Sequence, residues 1–457
     1  MGVNLPARPA SAFAASSIIA LLAFIVLTTL PGRALAVPSF AEQTGMPCSQ
    51  CHTVAYGPAL TAYGREFKLN GYVFGEAAHF IPFAVMAQGG YTRTGANLPD
   101  IPAPHTATNG NFSVDQVSFF YAGRMSAHSG AFFQATYSGP DRHASWDNLD
   151  VRYARAIAFG NTGAVVGVTI NNNPTVQDLW NSTPAWGFPY IGSALAPGPT
   201  AAPLITGLGQ TVLGASAYAM IDGHFYLEAG GYKSLSDRWL SNTGLTADDN
   251  AHVQGLAPYW RLAYQGGGRE RQWSVGTFGL RSEIQPDPTI QSTDRYTDLG
   301  FDATYQFSGE GPHSFATNLS LIRERANLDA SFALEGAASP SQNLTTLNAD
   351  FTYSYQRTWV GSLQLFNTTG SSDTTLYAPN PLDGSNNGSP DSRGYTLQLE
   401  WVPFGKQGSF GRPWLNVRVG VQYTGYSKFN GGTTNYDGFG RSAHDNNTLF
   451  AYFWVIS

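Results

Sequence analysis

The two cysteines of the chain stand close together and are followed at once by a histidine. Cys48, Cys51 and His52 form the sequence Cys-x-x-Cys-His, which is the attachment motif of c-type haem. In that chemistry the two thiols add to the two haem vinyl groups, and the adjacent histidine reaches the iron from one face. The alternative is a redox-active or structural disulfide, but a thioredoxin-like site needs a βαβ pattern that this sequence lacks. The motif therefore predicts one covalent haem c with His52 as the proximal iron ligand.

The sixth iron ligand, which helps to set the reduction potential of a haem, is not determined by the motif. Met46 stands two residues before Cys48, and we expect this closeness to hold it away from the open face of the haem. His79 and Met86 are the nearest downstream candidates. For each of them taken singly, ordinary packing or a polar position facing the lumen is the favoured explanation, so a ligand from the barrel wall or a pentacoordinate iron stays open.

The N-terminus has the features of an export signal. Arg8 gives a positive first region, residues 17–27 form a largely apolar run, and residues 34–36 are a small-x-small cleavage sequence. The apolar run is short for an uncleaved membrane anchor. We therefore predict a signal peptide over residues 1–36 and an exported mature chain that begins at Val37.

The composition restricts the class of protein. Charged residues make up 12% of the chain and aromatic residues 13%, and this charged share is about half that of a typical soluble domain. The mean hydropathy of −0.17 is too polar for a helical membrane protein, whose spans each need about 20 apolar residues. A net charge of −6 argues against a nucleic-acid partner, which requires a basic surface. These properties suit a sheet with one face in lipid and the other in water.

Downstream of residue 78 the sequence repeatedly alternates between apolar and polar residues. In residues 347–356 the odd positions are apolar or aromatic and the even positions polar, and residues 298–307, 395–401 and 415–424 repeat this pattern. Segments of about ten alternating residues are the signature of outer-membrane strands. We predict sixteen strands, at residues 79–93, 112–125, 130–138, 149–159, 164–171, 211–221, 224–233, 258–266, 271–283, 294–307, 313–325, 344–355, 358–367, 393–404, 413–427 and 446–457.

The connections between these strands alternate in length. Short turns, such as 221–223 and 356–357, separate long polar loops at 172–210, 234–257, 368–392 and 428–445. Outer-membrane barrels are built in this way, whereas a soluble sandwich has no reason to lengthen every second loop. We therefore predict an all-β fold, a transmembrane antiparallel β-barrel over residues 78–457 with both ends on the periplasmic side.

Residues 37–77 are predicted to form a cytochrome c-like haem-binding segment. A chain of about 40 residues rarely builds a core of its own, so the segment should fold against something larger. Because the barrel supplies that partner, we expect the haem segment on the periplasmic side or in the barrel lumen.

Two stretches that flank the motif carry a family resemblance. Residues 37–45, Val-Pro-Ser-Phe-Ala-Glu-Gln-Thr-Gly, and residues 63–72, Tyr-Gly-Arg-Glu-Phe-Lys-Leu-Asn-Gly-Tyr, resemble the N-terminus of the fused outer-membrane cytochrome–porins, best known from iron(II)-oxidising bacteria. The close resemblance covers about residues 37–75, and the remainder is similar only in architecture. Ala62 departs from the family, whose members often have proline there, and we interpret it as a tolerated loop change.

The resemblance implies a function and a set of partners. In this family the haem segment is thought to sit in a sixteen-stranded barrel and to carry electrons inward. By position, Cys48 and Cys51 would hold the haem and His52 would be the proximal ligand. The partners implied are outer-membrane lipid, an extracellular small reductant such as Fe²⁺ and a periplasmic electron-carrier cytochrome, and the activity would be that of an electron-transfer protein or an iron(II) oxidase.

Two other functions stay open at this stage. The chain is alternatively a solute porin whose haem segment acts as a plug or a sensor, and residues 173–180 in the longest loop would suit either a porin constriction or packing that shields a haem. A haem enzyme such as a peroxidase is less well supported, because no distal His–Arg pairing can be identified in the sequence.

The motif generates a direct chemical prediction. Because two thioether bonds would join the haem to Cys48 and Cys51, the purified protein should keep its haem through denaturing electrophoresis and acid–acetone extraction. Cys51→Ala removes one of these bonds and should weaken haem retention, as measured by haem staining of the gel. Haem that extracts freely from the unsubstituted protein would contradict the motif assignment.

Overall fold

A computed structural model provides the structure of the chain. The predicted signal peptide, residue 79 and the start predicted for the first strand lie outside the residues that the structure describes. No helix among the described residues is long and apolar enough to span a membrane. The described ranges are 39–54, 56–74, 82–245, 252–268, 270–287, 289–309, 311–405 and 415–457.

The strands form one closed antiparallel barrel. Seventeen strand segments are paired in one sheet, and the first pairs with both the second and the last. Two segments, His252–Val253 and Ala257–Gly267, pair in succession with the same neighbour and form one interrupted strand, which leaves sixteen. The predicted all-β barrel of sixteen strands is thus confirmed.

We number the strands in chain order. They are β1 Phe83–Thr94, β2 Asn111–Arg124, β3 Ser129–Ser138, β4 His143–Phe159, β5 Thr162–Asn171, β6 Val212–Ile221, β7 Phe225–Ser234, β8 His252–Val253 with Ala257–Gly267, β9 Arg271–Gln285, β10 Asp294–Ser308, β11 His313–Asn327, β12 Ser341–Tyr355, β13 Trp359–Gly370, β14 Ser392–Trp401, β15 Asn416–Lys428 and β16 Thr448–Ile456.

The barrel carries apolar side chains outside and polar side chains inside. In β14, Leu397 and Leu399 point outward and are 48% and 72% exposed, whereas Gln398 and Glu400 are buried in the lumen. Exposed leucine, valine and aromatic side chains recur on the outer face of most other strands. A soluble protein would bury these residues, so the arrangement is that of an outer-membrane type of barrel with an outward apolar band.

The two ends of the barrel differ. β1 begins and β16 ends at the short-turn end, where β12 and β13 are joined by a three-residue turn over 356–358. Gln356 and Arg357 both have φ of 53°, as the two central residues of a type I′ turn do, and the N–H of Thr358 donates to the Tyr355 carbonyl at 3.0 Å. The long connections, including 172–211, 371–391 and 429–447, lie at the opposite end. By the construction of such barrels, the short-turn end is periplasmic and the long-loop end is external.

Several predicted strand boundaries were wrong toward the external end. β4 begins at His143 rather than 149, and β12 begins at Ser341 rather than 344. Conversely, the predicted strand 393–404 ends at Trp401 at the short-turn end. Residues 143–148 are mostly polar on both faces, because a strand that extends beyond the lipid meets water on its outer face as well as on its inner face. The alternation on which the prediction depended is lost there.

Three short helices precede the barrel: α1 Ser39–Thr44, α2 Cys48–Cys51 and α3 Ala62–Leu69. Side chains of this N-terminal segment contact lumen-facing residues of the barrel wall. Arg65 of α3 donates to Gln306, and the hydroxyl of Tyr72, just after α3, donates to Asp150 at 2.6 Å. Three short helices, α4 Leu204–Gly207, α5 Asp237–Asn242 and α6 Asp329–Ala333, lie in loops of the long-loop end.

A matched pair of leucines tests whether the outer face lies in lipid. Leu365, in the middle of β13, is 55% exposed, and Leu376, in an external loop, is 43% exposed. Leu365→Arg should lower the free energy of unfolding by about 2–4 kcal/mol, because it places a cation near the bilayer midplane. Leu376→Arg should leave it nearly unchanged, since that site is in water. Denaturant unfolding in lipid vesicles gives both values, and equal costs would contradict a membrane-spanning barrel.

Candidate haem site

The motif occupies a single helical turn that is fixed by its neighbours. The N–H of His52 donates to the carbonyl of Cys48 at 2.9 Å, and the N–H of Thr61 donates to the carbonyl of Cys51 at 2.9 Å. Gly64 of α3 lies against the same carbonyl, where a Cβ would stand 2.2 Å from the Cys51 oxygen. Any larger residue would push α3 away from the motif. The two cysteines are not joined in a disulfide.

A cavity of about 420 Å³ adjoins the motif, within the size range of cofactor sites. Cys48, Cys51 and His52 line it together with Met86 from β1, so the structure brings four of the sequence candidates to one place. Met46 lines it as well. His79 lies outside the described residues. The aromatic lining comes from the helical segment, the barrel wall and the longest loop: Phe40, Tyr56, Phe67, Tyr72, Phe120, Phe132, Trp186, Tyr190 and Trp454.

The protonation state of His52 suits a metal ligand. Burial, and then the positive charge of Arg418, lower the pKa of its imidazole to about 4, so the ring is neutral at pH 7, as coordination requires. The backbone of Gly57 and Ala59 lies beside the ring and acts against this lowering. Two thiols, a neutral imidazole and a thioether around one aromatic cavity fit a c-type haem.

Arg418 of β15 fixes the chain just after the motif to the barrel wall. Its guanidinium lies 4.7 Å from the ring centre of Tyr56 and 5.1 Å from that of Trp454, and it donates to the Tyr56 carbonyl. Nη1 also lies 3.3 Å from both carboxylate oxygens of Glu400. Gly57 has φ of 110°, and a Cβ there would stand 2.9 Å from Arg418 Nη2. Glycine is therefore required where the chain passes the guanidinium.

Lys68 joins α3 to the longest loop. Its ammonium donates to the carbonyls of Val176 and Asp178 at 2.8 and 2.5 Å and to Oδ1 of Asn181 at 2.8 Å. All three acceptors belong to loop 172–211, which therefore turns inward. Burial, followed by the nearby Arg152 charge, lowers the pKa of Lys68 to about 7.

Loop 172–211 is held inside the lumen along its length. The Asp178 carboxylate lies 3.0 Å from Nη2 of Arg261. Nη1 of the same arginine lies 2.8 Å from the Asp302 carboxylate. Farther along, the Gln422 amide donates to the carbonyl of Ile191 at 2.9 Å. The loop segment 173–180, for which the sequence allowed either a constriction or a shield, thus lies in the lumen beside α3.

Sequence reasoning missed the groups that position the site. Glu400 and Arg418 belong to stretches whose alternation predicted that they face inward, but the sequence did not show that they pair with each other. Lys68 and Arg261 carried no signal beyond being charged in a chain with only 12% charged residues. Because charged residues are so scarce in this chain, each one at an inward-facing position is itself a usable signal.

No protein-family model and no curated protein matches the chain. Among solved structures, the outer-membrane channel DcaP of Acinetobacter baumannii aligns with a TM-score of 0.45 and 9% identity over 82% of this chain and 96% of that one. OprB of Pseudomonas putida aligns with a TM-score of 0.43 and 9% identity over 82% of this chain and 93% of that one. The anion-selective porin of Comamonas acidovorans aligns with a TM-score of 0.42 and 10% identity over 82% of this chain and 97% of that one. The assignment of the fold rests on the strand pairing described above.

The burial of Lys68 predicts a pH-dependent stability. Its folded-state pKa, about 7, lies below the usual value of about 10.4 for an unfolded chain, so the unfolded state binds more protons between these two values. The free energy of unfolding should therefore rise with pH from about 7 to 10, by at most about 1.4 kcal/mol per pH unit.

Lys68→Met removes this titration and is the matched control. Denaturant unfolding in detergent at pH 7, 8.5 and 10 measures the difference between the two proteins. Parallel pH profiles for the two would show that Lys68 has an ordinary pKa in the folded barrel.

Proposed function

We propose that this protein is an outer-membrane cytochrome that carries one covalent haem in the lumen of its barrel and passes electrons from an extracellular donor to a periplasmic carrier. The observation that supports this proposal is the single cavity lined by Cys48, Cys51, His52 and Met86. The two cysteines would hold the haem, His52 would bind the iron, and Met86 is the candidate sixth ligand in the described part of the chain. The haem would supply a one-electron iron couple.

The position of the motif supports the inward direction of transfer. The Ser49 carbonyl accepts a hydrogen bond of 3.2 Å from Arg357, which lies in the turn between β12 and β13. The side-chain oxygen of Gln43 in α1 accepts a hydrogen bond of 2.8 Å from the backbone N–H of Arg124 at the end of β2. Both contacts are at the short-turn end of the barrel. A carrier in the periplasm would therefore approach the motif directly, since Gln50 is exposed there.

The aromatic lining and the inserted loop give the site a dry surrounding. Trp186 and Tyr190 of loop 172–211 line the cavity, and Trp186 is held by a hydrogen bond of 2.7 Å from its Nε1 to the carbonyl of Val176. Burial and ligand identity are the main means by which a protein adjusts the potential of a haem. The chain's own residues would thus keep bulk water from the iron and hold the ligands in place.

The choice of donor rests on the family resemblance. The cytochrome–porins that residues 37–75 resemble are best known from iron(II)-oxidising bacteria, and Fe²⁺ is therefore the first donor to test. On this proposal the protein is an electron-transfer protein that acts as an iron(II) oxidase when coupled to its carrier.

A solute porin is the second candidate function. The sixteen-stranded barrel and a long loop folded into its lumen are the features that favour it, because a loop in this position would narrow a channel. Two further cavities, of about 510 and 660 Å³, lie at the short-turn end beside α3. In this case the helical segment would act as a plug or a sensor.

Proteoliposomes test the first function against the second. Fe²⁺ or another small reductant added outside should reduce the haem, as followed by its absorbance, and the reduced protein should then reduce a soluble periplasmic cytochrome. His52→Ala should abolish reduction while the barrel keeps its heat-modifiable band, because His52 takes no part in the sheet. His224→Ala, at an exposed turn of the same end, is the matched control and should behave as the unsubstituted protein does.

A redox titration of the haem, followed by the same absorbance, examines the sixth ligand. Met86→Leu should shift the reduction potential if Met86 binds the iron, whereas Met46→Leu should not. Haem that stays oxidised with every external donor, in a protein whose single channels conduct ions freely, would refute electron transfer in favour of the porin.

A further inference from the structure

Four arginines cluster on the outer face of the barrel near its external end. Arg281 of β9, Arg295 of β10, and Arg323 and Arg325 of β11 are all exposed and occupy outward-facing positions. The one acidic side chain among them is Glu283, which lies 3.5 Å from Arg295. Three adjacent strands therefore carry a net positive patch on the side of the barrel that faces the membrane.

The strand register places these guanidinium groups close together. Thr297 lies directly opposite Arg281 on one side and Arg325 on the other, so the Cα atoms of these two arginines are about 10 Å apart. Arg323 stands two residues before Arg325 in β11, and Arg295 stands two residues before Thr297 in β10. Each of these steps is about 7 Å along the strand. Like charges so near one another repel, and the described residues supply no ion pair or hydrogen bond to the side chains of Arg281, Arg323 and Arg325.

The patch lies at the upper margin of the apolar band. Leu299, which is opposite Arg323 in the register, is 53% exposed, and Phe301 and Leu321 below it are 43% and 38% exposed. Toward the external end the same strands lead into water-exposed loops. Arginine on a lipid-facing strand costs little at this interface and much more at the midplane, so the cluster stands where headgroups begin.

We propose that this arginine patch binds the phosphate groups of a lipid headgroup in the external leaflet, with the acyl chains of that lipid lying on Leu299, Phe301 and Leu321. Guanidinium groups bind phosphate oxygens in pairs and in a fixed geometry, and four of them with one carboxylate match a headgroup that carries more than one negative charge. The apolar surface directly beneath the patch favours a lipid over free phosphate. The inference depends on the membrane-spanning barrel and is independent of the haem.

The test compares two triple variants of the full chain purified in detergent. Arg281→Gln/Arg323→Gln/Arg325→Gln removes the patch, and Arg93→Gln/Lys233→Gln/Arg393→Gln removes three outward positive charges from the well-separated strands β1, β7 and β14. The probe is diphosphorylated lipid A, with phosphatidylcholine and inorganic phosphate as the comparison ligands, and bound lipid is counted by native mass spectrometry.

We expect the patch variant to bind lipid A about a hundredfold more weakly, because each cation near an anionic lipid surface contributes about a fivefold factor. The control variant should change by less than about threefold, and phosphatidylcholine should bind both variants and the unsubstituted protein equally. Equal weakening in the two variants would mean a general charge effect and would overturn the proposal, as would inorganic phosphate displacing lipid A at equal concentration.

A milder variant covers the case in which the patch variant does not give a heat-modifiable barrel. Arg281→Lys/Arg323→Lys/Arg325→Lys keeps the charge but loses the paired hydrogen bonds, and it should bind lipid A several-fold more weakly than the unsubstituted protein. Unchanged affinity in this variant would contradict binding through guanidinium–phosphate pairs.

Discussion

The structure depends on keeping every backbone hydrogen-bonding group paired where no water is available. A strand edge in lipid would leave a row of unpaired N–H and C=O groups, each costing several kcal/mol. Pairing of β1 with both β2 and β16 removes the edges altogether. Closure in turn sets the side-chain pattern, since each strand then has one face in lipid and one in the lumen. The low charge and the alternation of the sequence are consequences of this single requirement.

Closure also creates an interior that has to be filled with polar groups that satisfy one another. Arg261 pairs there with both Asp178 and Asp302, and Arg152 pairs with Asp150 at 2.8 Å. A buried ion pair adds little net stability, but loss of one partner costs about 3–5 kcal/mol. Asp178 belongs to loop 172–211, so the loop cannot leave the lumen without leaving Arg261 short of a partner. The wall charges thereby determine where the loop lies.

The sequence predicts the barrel better than it predicts the site, for a physical reason. Alternation is local, and residues 347–356 alone place β12 and its two faces, whereas residues 143–148, wet on both sides, hid the start of β4. The pairing of Arg418 with Glu400 requires the register of two strands, which a single sequence does not specify. The contact from Lys68 to Asn181 joins residues 113 positions apart. The motif predicts its chemistry because its residues are adjacent in the sequence. The residues that surround it come from distant parts of the chain and are not predicted in this way.

The helical segment has only a small aromatic cluster of its own, formed by Phe40, Phe67 and Tyr72, so much of its geometry is supplied from outside and from several directions. Arg418 fixes the chain after His52 to β14 and β15, Arg65 donates to Gln306 of β10 at 3.0 Å, and Lys68 ties α3 to the inserted loop. Since α3 in turn abuts the carbonyl of Cys51 through Gly64, a displacement of any one anchor would be passed to the motif. A segment too short to fold alone can therefore present two thiols and an imidazole in one fixed arrangement.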